Sequence, residues 1–245
     1  MAKVRLDQLV LQRGLADSRT QAQSMIMAGE VRSNDMVLLK PGQSFDEDIP
    51  LEVTQKSRYV SRAGEKLASV AQSLNLDFKN KVVLDAGSST GGFTDFALQN
   101  GARKVYAVDV GNAQLAYKLR QDNRVVSMER TDIRDVMPYH LNPLPDMAVA
   151  DVSFISLSKI LPSVAALVKP NGLIVAMMKP QFETDKETAD RFRGIIDDEN
   201  ERQEILAAFE KALTGSFNII ASADSGVAGA KGNRERFYAM TATSL

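Results

Sequence analysis

The first 53 residues alternate short apolar and polar stretches. In two segments the apolar residues recur every three or four positions, which predicts two short helices that end before Gly14 and Gly29. Asp17 or Ser18 can cap the second helix. Short apolar runs separated by turn-forming and acidic residues predict small strands at Val31, 36–39 and 49–53. A small α+β module is therefore expected at the amino end.

From Val82 onward, apolar runs of strand length alternate with longer helical stretches. The runs are 82–86, 104–109, 124–129, 147–152 and 173–178. This alternation predicts a parallel sheet with helices on both faces. Two more runs, 218–223 and 236–242, are joined by a glycine-rich loop without a helix, which predicts an antiparallel hairpin at one end of the sheet. The fold class is α/β, with a Rossmann-like, seven-stranded, mostly parallel sheet and a C-terminal antiparallel hairpin.

Residues 54–63 are polar and basic, with Tyr59 and Val60 in their middle. This composition is typical of a short linker that packs against one neighbouring domain. We place the domain boundary near residue 57, which gives domains 1–57 and 58–245, with 58–63 as the linker.

Composition narrows the function classes. The chain has no cysteine, which excludes disulfides, thiolate metal sites and a cysteine nucleophile, and favours a reducing cytosolic setting. No apolar run reaches the roughly 20 residues needed to cross a bilayer, so we expect a soluble cytoplasmic protein without a membrane partner. The net charge is -1, so any nucleic-acid binding must come from local basic clusters. No metal site is expected.

The run 82–86 is followed at once by a glycine-rich loop and then by a helical stretch. This order places a tight turn at the carboxyl end of a central strand, where open sheets bind ligands. A dinucleotide fingerprint would need glycines at 87, 89 and 92, but position 89 is serine. Asp85 just before the loop also disfavours a diphosphate and suits a cationic amino group.

S-adenosylmethionine carries such an amino group, together with ribose hydroxyls that Asp109 can bind at the end of the next run. Asp132 and Ile133 can bond the adenine amino group and cover its ring. The alternative is that Asp85 and Asp109 merely terminate strands, which does not explain the loop between them. The expected cofactor-binding residues are Asp85, Gly87, Ser88, Ser89, Gly91, Gly92, Phe93, Asp109, Val110, Asp132, Ile133 and Asp151.

An S-adenosylmethionine site implies that the protein is a methyltransferase. The residues after the fourth run indicate which kind of atom accepts the methyl group. Covalent methylation of cytosine C5 needs a cysteine, and the chain has none. Methylation of an exocyclic amine usually shows Asn or Asp followed by Pro-Pro and an aromatic residue, whereas the sequence here is Asp151-Val152-Ser153-Phe154. Both reactions on a base are therefore disfavoured.

Four polar residues stand where a methyl acceptor could reach them: Lys66, Asp151, Lys179 and Glu235. A lysine can deprotonate a hydroxyl only if its pKa of about 10.4 is lowered. We interpret Lys179 as the base, Lys66 as the charge that lowers its pKa and orients the hydroxyl, and the two acids as residues that position the lysines. Alternatively, each is an exposed salt-bridge partner. His140, the single histidine, lies in a loop far in sequence from these strand ends and is a weaker candidate for the base.

Together these residues resemble the hemolysin A family, also called the TlyA family, of bacterial ribosomal RNA 2'-O-methyltransferases. That family joins an S4 RNA-binding domain to a methyltransferase domain similar to FtsJ. The matching segments are 5–7, 14–19, 28–29, 59–64, 85–93, 108–111, 151–156, 179–183 and 232–235. The resemblance implies that Lys66, Asp151, Lys179 and Glu235 form the family's catalytic tetrad and that the acceptor is a cytidine ribose of ribosomal RNA. Residues 184–197 depart from the family pattern, which is richer in glycine there.

Arginines in the S4-like part could meet RNA phosphates or could be ordinary solvated charges. The candidates are Arg5, Arg13, Arg19 and Arg32. Arg58 and Arg62 continue the basic character toward Lys66, so one RNA strand could bridge both domains. Ribosomal RNA or a ribosomal subunit is the expected partner.

Three other functions compete with this interpretation. A catalytically silent ribosome assembly factor would keep the fold but not need the tetrad. A membrane-active hemolysin would need a membrane-spanning or strongly amphipathic segment, and the amphipathic stretches here are short and flanked by acids. A small-molecule O-methyltransferase would have no use for an RNA-binding module.

Overall fold

The computed structural model describes residues 3–16, 18–27, 29–34, 36–53, 58–229 and 232–243. The chain divides into two units, residues 1–57 and 58–245, and each is described by itself. Asp17, one of the two proposed helix caps, and residues 54–57 of the proposed linker lie outside the described residues.

The two helices of the first unit follow the predicted apolar spacing. They are α1 (Leu6–Gln12) and α2 (Arg19–Met27). Ser18 precedes α2, and its Oγ accepts a hydrogen bond from the backbone N–H of Gln21 at 3.2 Å. The apolar faces of the helices pack with the neighbouring strand residues into a core made of Leu6, Val10, Ala16, Ala22, Met25, Ile26, Val31 and Leu38.

The three predicted strands of the first unit are present, although those at 36–39 and 49–53 are shorter than predicted. Strands β2 (Val31–Ser33), β3 (Met36–Val37) and β5 (Glu52–Val53) form a sheet in the order β3-β2-β5. A second pair, β1 (Lys3–Arg5) and β4 (Ser44–Asp46), is antiparallel and was not predicted. Phe45 is the one apolar residue of β4, so no alternation marks this strand. Its pairing partner, more than 35 residues away in sequence, decides its conformation.

The second unit contains the predicted seven-stranded sheet, in the order β11-β12-β10-β9-β6-β7-β8. Its strands are β6 (Val82–Ala86), β7 (Lys104–Val108), β8 (Val125–Met128), β9 (Met147–Ala150), β10 (Leu173–Met178), β11 (Phe217–Asp224) and β12 (Arg236–Ala242). Strands β6 to β10 are parallel, and the β11–β12 hairpin adds to β10 in antiparallel orientation. The prediction of fold class is confirmed.

Helices cover both faces of this sheet, because its central strands are apolar on both sides. The helices are α3 (Arg62–Ala71), α4 (Gly92–Gln99), α5 (Tyr117–Arg120), α6 (Leu157–Ala166), α7 (Lys186–Arg191) and α8 (Glu199–Leu213). One core includes residues of α6 and α8, and the other includes residues of α3 and α4. None of the helices in the described residues is long and apolar enough to cross a membrane.

The strand order reverses between β6 and β9. The chain runs from β6 outward to β7 and β8, and then returns to place β9 on the other side of β6. Loops that leave neighbouring parallel strands in opposite directions open a crevice at the carboxyl ends of those strands. The loops after β6 and β9 therefore flank the natural binding position of this fold.

Candidate active site

The glycine loop after β6 passes directly against the loop after β9. Gly87 has a φ of +83°, and a Cβ at this position would lie 2.5 Å from the backbone oxygen of Asp151. A side chain at 87 would therefore need both a left-handed backbone and a displaced neighbouring backbone. The loop is held in place because the N–H groups of Gly87 and Ser88 donate to the oxygen of Val108 at 2.9 and 3.1 Å.

The other two glycines of the loop serve helix packing. A Cβ at Gly91 would lie 2.3 Å from Leu119 Cδ1, and a Cβ at Gly92 would lie 2.3 Å from Ser61 Oγ. These glycines let α4 approach α3 and α5 closely. Neither glycine lines a cavity described below. The next residue, Phe93, lines the second of these cavities.

Two cavities adjoin at the carboxyl ends of β6, β7 and β9, with volumes of about 330 and 360 Å³. They share Gly87, Ser89 and Asp151, and together form an elongated groove. The first is also lined by Val108, Asp109, Val110, Gln114, Thr131, Asp132, Ile133, Val152, Ser153, Phe154, Ile155 and Ile160. The second is also lined by Ser61, Arg62, Ala63, Asp85, Ser88, Thr90 and Phe93.

Asp85 is a fully buried carboxyl group in the wall of the second cavity. Its Oδ2 accepts a hydrogen bond from Thr94 Oγ1 at 2.6 Å, while its buried Oδ1 has no partner among the described residues. The pKa of Asp85 is raised to about 7, mainly by burial and also by the nearby carboxylates of Asp151 and Asp109, against the lowering effect of the hydrogen bond from Thr94. An unsatisfied buried acceptor of this kind fits the cationic amino group of an amino-acid ligand.

Asp109 follows β7, and both of its oxygens hold nearby backbone. Oδ2 accepts from the N–H of Ser89 at 2.7 Å, and Oδ1 accepts from the N–H of Gly111 at 2.6 Å. Asp109 therefore ties the glycine loop to the turn after β7, and the remaining acceptor positions of its oxygens face the first cavity together with Val110.

Asp132 and Ile133 form the far end of the first cavity. Arg134 donates to both carboxylate oxygens of Asp132, at 2.9 and 2.6 Å, and lowers the pKa of Asp132 to about 2. Asp132 is thus ionised and fixed in orientation, and the buried side chain of Ile133 adds an apolar surface beside it.

The four residues of the predicted tetrad form two ion pairs, in which Lys66, Lys179 and Glu235 are buried and Asp151 is partly buried. Lys66 Nζ lies 2.5 Å from Glu235 Oε2, and Lys179 Nζ lies 2.5 Å from Asp151 Oδ1. Lys179 Nζ also donates to Ser153 Oγ at 2.8 Å, a contact that the sequence did not reveal. Lys66, Lys179 and Glu235 line a third cavity of about 390 Å³, with Ser153, Phe154, Gln181, Phe182, Gly194, Gly229 and Asn233.

Sheet topology explains why residues so distant in sequence meet. Asp151 follows β9 and Lys179 follows the adjacent parallel strand β10, so both lie at the same edge of the sheet. Strand β12 is antiparallel to β10, so the beginning of β12, and Glu235 just before it, reach that edge too. The arginines on either side of Glu235 bind Asp224, at 3.2 Å from Arg234 and 2.7 Å from Arg236, which fixes the start of β12.

The segment 184–197 borders the third cavity through Gly194. Asn233 fastens this segment, because its Oδ1 accepts from the N–H of Ile196 and its Nδ2 donates to the oxygen of Gly194, each at 2.8 Å. Segment 184–197 is therefore attached to the chain two residues before Glu235.

Phe154 lies where the first and third cavities adjoin. Its side chain is 91% exposed, its φ of +66° is unusual for an aromatic residue, and its ring centroid lies 5.2 Å from that of Phe182. Such a strained, exposed aromatic residue is typical of a functional position. The sequence showed Phe154 only as part of a motif, without a role.

The weaker candidate for the base lies elsewhere. His140 lines none of the three cavities, and its Nδ1 accepts a hydrogen bond from the N–H of Met137 at 3.1 Å. Within the part of the chain that the structure describes, no group of three or more acidic or histidine side chains could hold a metal ion.

Two of the candidate RNA-binding arginines are ordered around one buried acid. Asp7 accepts hydrogen bonds from Arg5 Nε and Nη2 and from Arg19 Nε, each at 3.0 Å, and from Gln23 Nε2 at 2.8 Å. The bond from Arg5 is the main reason that the pKa of Asp7 lies well below its usual range. The side chains of Arg5 and Arg19 remain 44% and 50% exposed, so their outer N–H groups face solvent.

The other candidate arginines have different surroundings. Arg13 donates to the backbone oxygens of Glu47 and Ile49, both at 2.5 Å, and Arg62 donates to the oxygen of Ala228 at 2.6 Å. Arg58 lies over the ring of Tyr59, and Arg32 is exposed on β2. Arg13 and Arg62 therefore hold loops of their own units, a role that the sequence did not suggest.

Comparison with known proteins agrees with this geometry. The model of the FtsJ-like methyltransferase family matches residues 59–242, and that of the S4 domain matches residues 4–47. Hemolysin A of Brachyspira hyodysenteriae is 42% identical over 234 residues, which cover 95% of this chain and 97% of the relative.

Two further proteins are similar over most of the chain. The 16S/23S rRNA (cytidine-2'-O)-methyltransferase TlyA of Mycobacterium tuberculosis is 36% identical over 96% of this chain and 88% of the relative. A solved structure from Streptococcus thermophilus is 40% identical, with a TM-score of 0.74, and the match covers 100% of this chain and 90% of that one. The chain belongs to the FtsJ-like methyltransferase family, among its hemolysin A and TlyA members, and in this chain an S4 domain precedes the methyltransferase domain.

Proposed function

We propose that this protein transfers a methyl group from S-adenosylmethionine to the ribose 2'-hydroxyl of a cytidine in ribosomal RNA. A cytidine is the acceptor in the similar TlyA protein, as its name states. The observation that carries the proposal is the pair of buried lysine–carboxylate contacts in a cavity next to the groove at Asp85. Two buried lysines suit a reaction that must remove a proton from a weakly acidic hydroxyl.

The groove fits the cofactor in three places. The free Oδ1 of Asp85 would receive its amino group, Asp109 its ribose hydroxyls, and Asp132 with Ile133 its adenine. The proposed binding set is completed by Gly87, Ser88, Ser89, Phe93, Val110 and Asp151, while Gly91 and Gly92 shape the loop through helix packing. When bound, S-adenosylmethionine supplies an electrophilic methyl group on a sulfonium.

The tetrad would prepare the acceptor hydroxyl. Lys179 would act as an uncharged amine: its Nζ takes the proton of the hydroxyl and becomes the ammonium, while Asp151 and Ser153 hold that nitrogen in place. Lys66, held by Glu235, orients the hydroxyl oxygen and stabilises negative charge that develops on it. Because the Lys66–Glu235 pair is largely buried, the charge of Lys66 acts in a medium of lower dielectric than water.

The exposed ring of Phe154 offers a stacking surface for the base of the acceptor nucleoside. An aromatic side chain stacks any base, at a gain of roughly 1–3 kcal/mol. Phe154 lies at the third cavity beside the tetrad, so a base on its ring would keep the ribose near Lys179. This contact would position the nucleoside without identifying it.

The S4 domain would supply the RNA platform. Asp7 pre-orders Arg5 and Arg19, so their outer N–H groups can bind phosphates without first losing side-chain freedom. Arg13, Arg32, Arg58 and Arg62 are the other proposed phosphate ligands, although Arg13 and Arg62 already donate to backbone oxygens.

Replacing Arg5 and Arg19 together by glutamate is expected to weaken RNA affinity at least tenfold and to leave affinity for S-adenosylhomocysteine unchanged. Loss of two phosphate contacts should also reduce the slope of log affinity against log salt by about two. Filter binding across a salt series and calorimetry measure these quantities. Lys211→Glu together with Lys159→Glu, two exposed charge reversals on α8 and α6, gives the same change of four in net charge and is the control. Unchanged RNA affinity, with the domain still folded by circular dichroism, would contradict the role of these arginines.

Affinity for the cofactor is expected to fall as the pH drops below about 7. The pKa of Asp85 in the ligand-free protein is raised to about 7, and a cationic amino group binds only the ionised carboxylate. Binding at lower pH must therefore release a proton, at a loss of up to about tenfold per pH unit. Calorimetry with S-adenosylhomocysteine at pH 5.5 to 8.5 tests this, and a flat profile would speak against Asp85 as the ligand of the amino group.

The decisive experiment maps 2'-O-methylation on ribosomal RNA from cells with and without this gene. Loss of a ribose methyl group in the deleted strain, and its restoration by wild-type protein but not by a Lys179 variant, is the expected result. An unchanged map would favour a silent assembly factor.

A further inference from the structure

One polar side chain of the third cavity, that of Gln181, has no role in the proposed methyl transfer. Asn233 uses both ends of its amide to hold segment 184–197, and Ser153 receives a hydrogen bond from Lys179. Gln181 differs from both, because its Oε1 is buried and accepts no hydrogen bond from any residue in the described ranges. Buried amide oxygens normally have a donor, so this one is available for a ligand.

The position of Gln181 suits contact with a nucleoside base. It lies in the short 3₁₀ turn Pro180–Phe182, two residues after Lys179 and next to Phe182, which packs against the exposed ring of Phe154. A base stacked on Phe154 would direct its edge into the cavity that Gln181 lines. The stacking surface and the free acceptor thus belong to the same site.

We propose that Gln181 selects the acceptor nucleoside by accepting a hydrogen bond from an exocyclic amino group of its base. This inference rests on the proposed function, in which the ribose lies at the tetrad. Cytosine and adenine carry an amino group at the corresponding edge, whereas uracil carries a carbonyl oxygen, which would face Gln181 Oε1 with no hydrogen between them. With the Gln181 amide oriented as in the structure, so that Oε1 is the buried atom, the site discriminates in favour of amino-bearing bases and against uridine.

The discrimination follows from the free-energy cost of leaving Gln181 Oε1 without a hydrogen bond when uridine binds. A site built around a buried hydrogen-bonding group rejects a ligand that cannot satisfy it, because the group then stays unpaired. One good contact to a base edge corresponds to roughly ten- to hundredfold discrimination. The wild-type enzyme should show a preference of this size between a cytidine and a uridine at the target position.

The test uses the full-length protein and reconstituted ribosomal subunits in which the mapped target nucleotide is cytidine, adenosine or uridine. Gln181→Met keeps the size of the side chain but removes the acceptor, and it should reduce the cytidine-over-uridine rate ratio about ten- to hundredfold. Gln181→Glu keeps an acceptor oxygen and should keep the preference. Gln72→Met, an exposed position at the end of α3, should behave as wild type.

Two negative results have different meanings. If Gln181→Met transfers methyl groups with the wild-type ratio, Gln181 does not read the base, and the proposed function stands. If wild-type protein methylates none of the subunits although it binds S-adenosylhomocysteine, the proposed function fails and this inference fails with it. Calorimetry on each variant verifies that its cofactor site is intact.

Discussion

Asp85→Asn is expected to abolish cofactor binding and at the same time to stabilise the ligand-free protein. The buried Oδ1 of Asp85 has no partner in the described residues. The ionised carboxylate therefore destabilises the folded, ligand-free protein, and binding of a cation removes this effect. Asparagine can still accept the hydrogen bond from Thr94, but it presents an N–H₂ group where the cofactor amino group would bind. We expect affinity for S-adenosylhomocysteine to fall a hundredfold or more.

The stability effect depends on pH in a defined direction. The pKa of Asp85 is raised from 3.8 to about 7 by folding, so the folded state holds this proton more tightly than the unfolded state does. The associated stability is fully present below pH 3.8 and is lost as the pH rises through about 7. Asparagine carries no charge, so the variant should be more stable than wild type at pH 8, by on the order of 2–4 kcal/mol, and the difference should shrink toward pH 4.

Thermal unfolding at pH 4, 6 and 8 and calorimetry with S-adenosylhomocysteine measure the two effects. Asp190→Asn, which removes an exposed carboxylate from the same domain, is the matched control and should change neither quantity appreciably. Wild-type affinity in the Asp85 variant would show that another group anchors the cofactor. If wild type and Asp85→Asn were equally stable at pH 8, the ionised carboxylate of Asp85 would not destabilise the folded protein.

Lys179→Met is expected to lower the rate of methyl transfer by a factor of roughly 10² to 10⁴ while leaving cofactor affinity within about twofold. The methionine side chain fills similar space but cannot take a proton from the acceptor hydroxyl. Lys179 Nζ contacts Asp151 and Ser153 and faces the third cavity, whereas the free oxygen of Asp85 lies in the second cavity. The chemistry should therefore fail without loss of the cofactor.

Single-turnover transfer of a labelled methyl group from saturating cofactor separates chemistry from binding. Lys159→Met, an exposed lysine on α6, is the matched control and should retain the wild-type rate. Lys66→Met should also slow transfer, because Glu235 would lose its partner and the hydroxyl oxygen would lose a cation. A Lys179 variant with a rate within tenfold of wild type would mean that a different group accepts the proton.

The sequence predicted the larger domain well because its signals are strong and local. The bounds of β6, β10 and β12 agree with the apolar runs, since strands buried on both faces must be apolar throughout. β9 ends earlier than its run, at Ala150, because Asp151 and Val152 leave the sheet to line the site. β4 was missed, since a single phenylalanine between polar residues gives no periodicity.

By itself the sequence determined the fold class and the glycine loop, and it singled out the four residues proposed as the tetrad, because hydrophobic period, glycine and charged residue types are properties of positions along the chain. Only the tertiary structure decided that Lys66 pairs with Glu235 and Lys179 with Asp151, because β12 enters the sheet antiparallel beside β10. The free oxygens of Asp85 and Gln181 likewise depend on which donors folding brings near them. Partners of this kind are separated by many residues in sequence, and no local pattern encodes them.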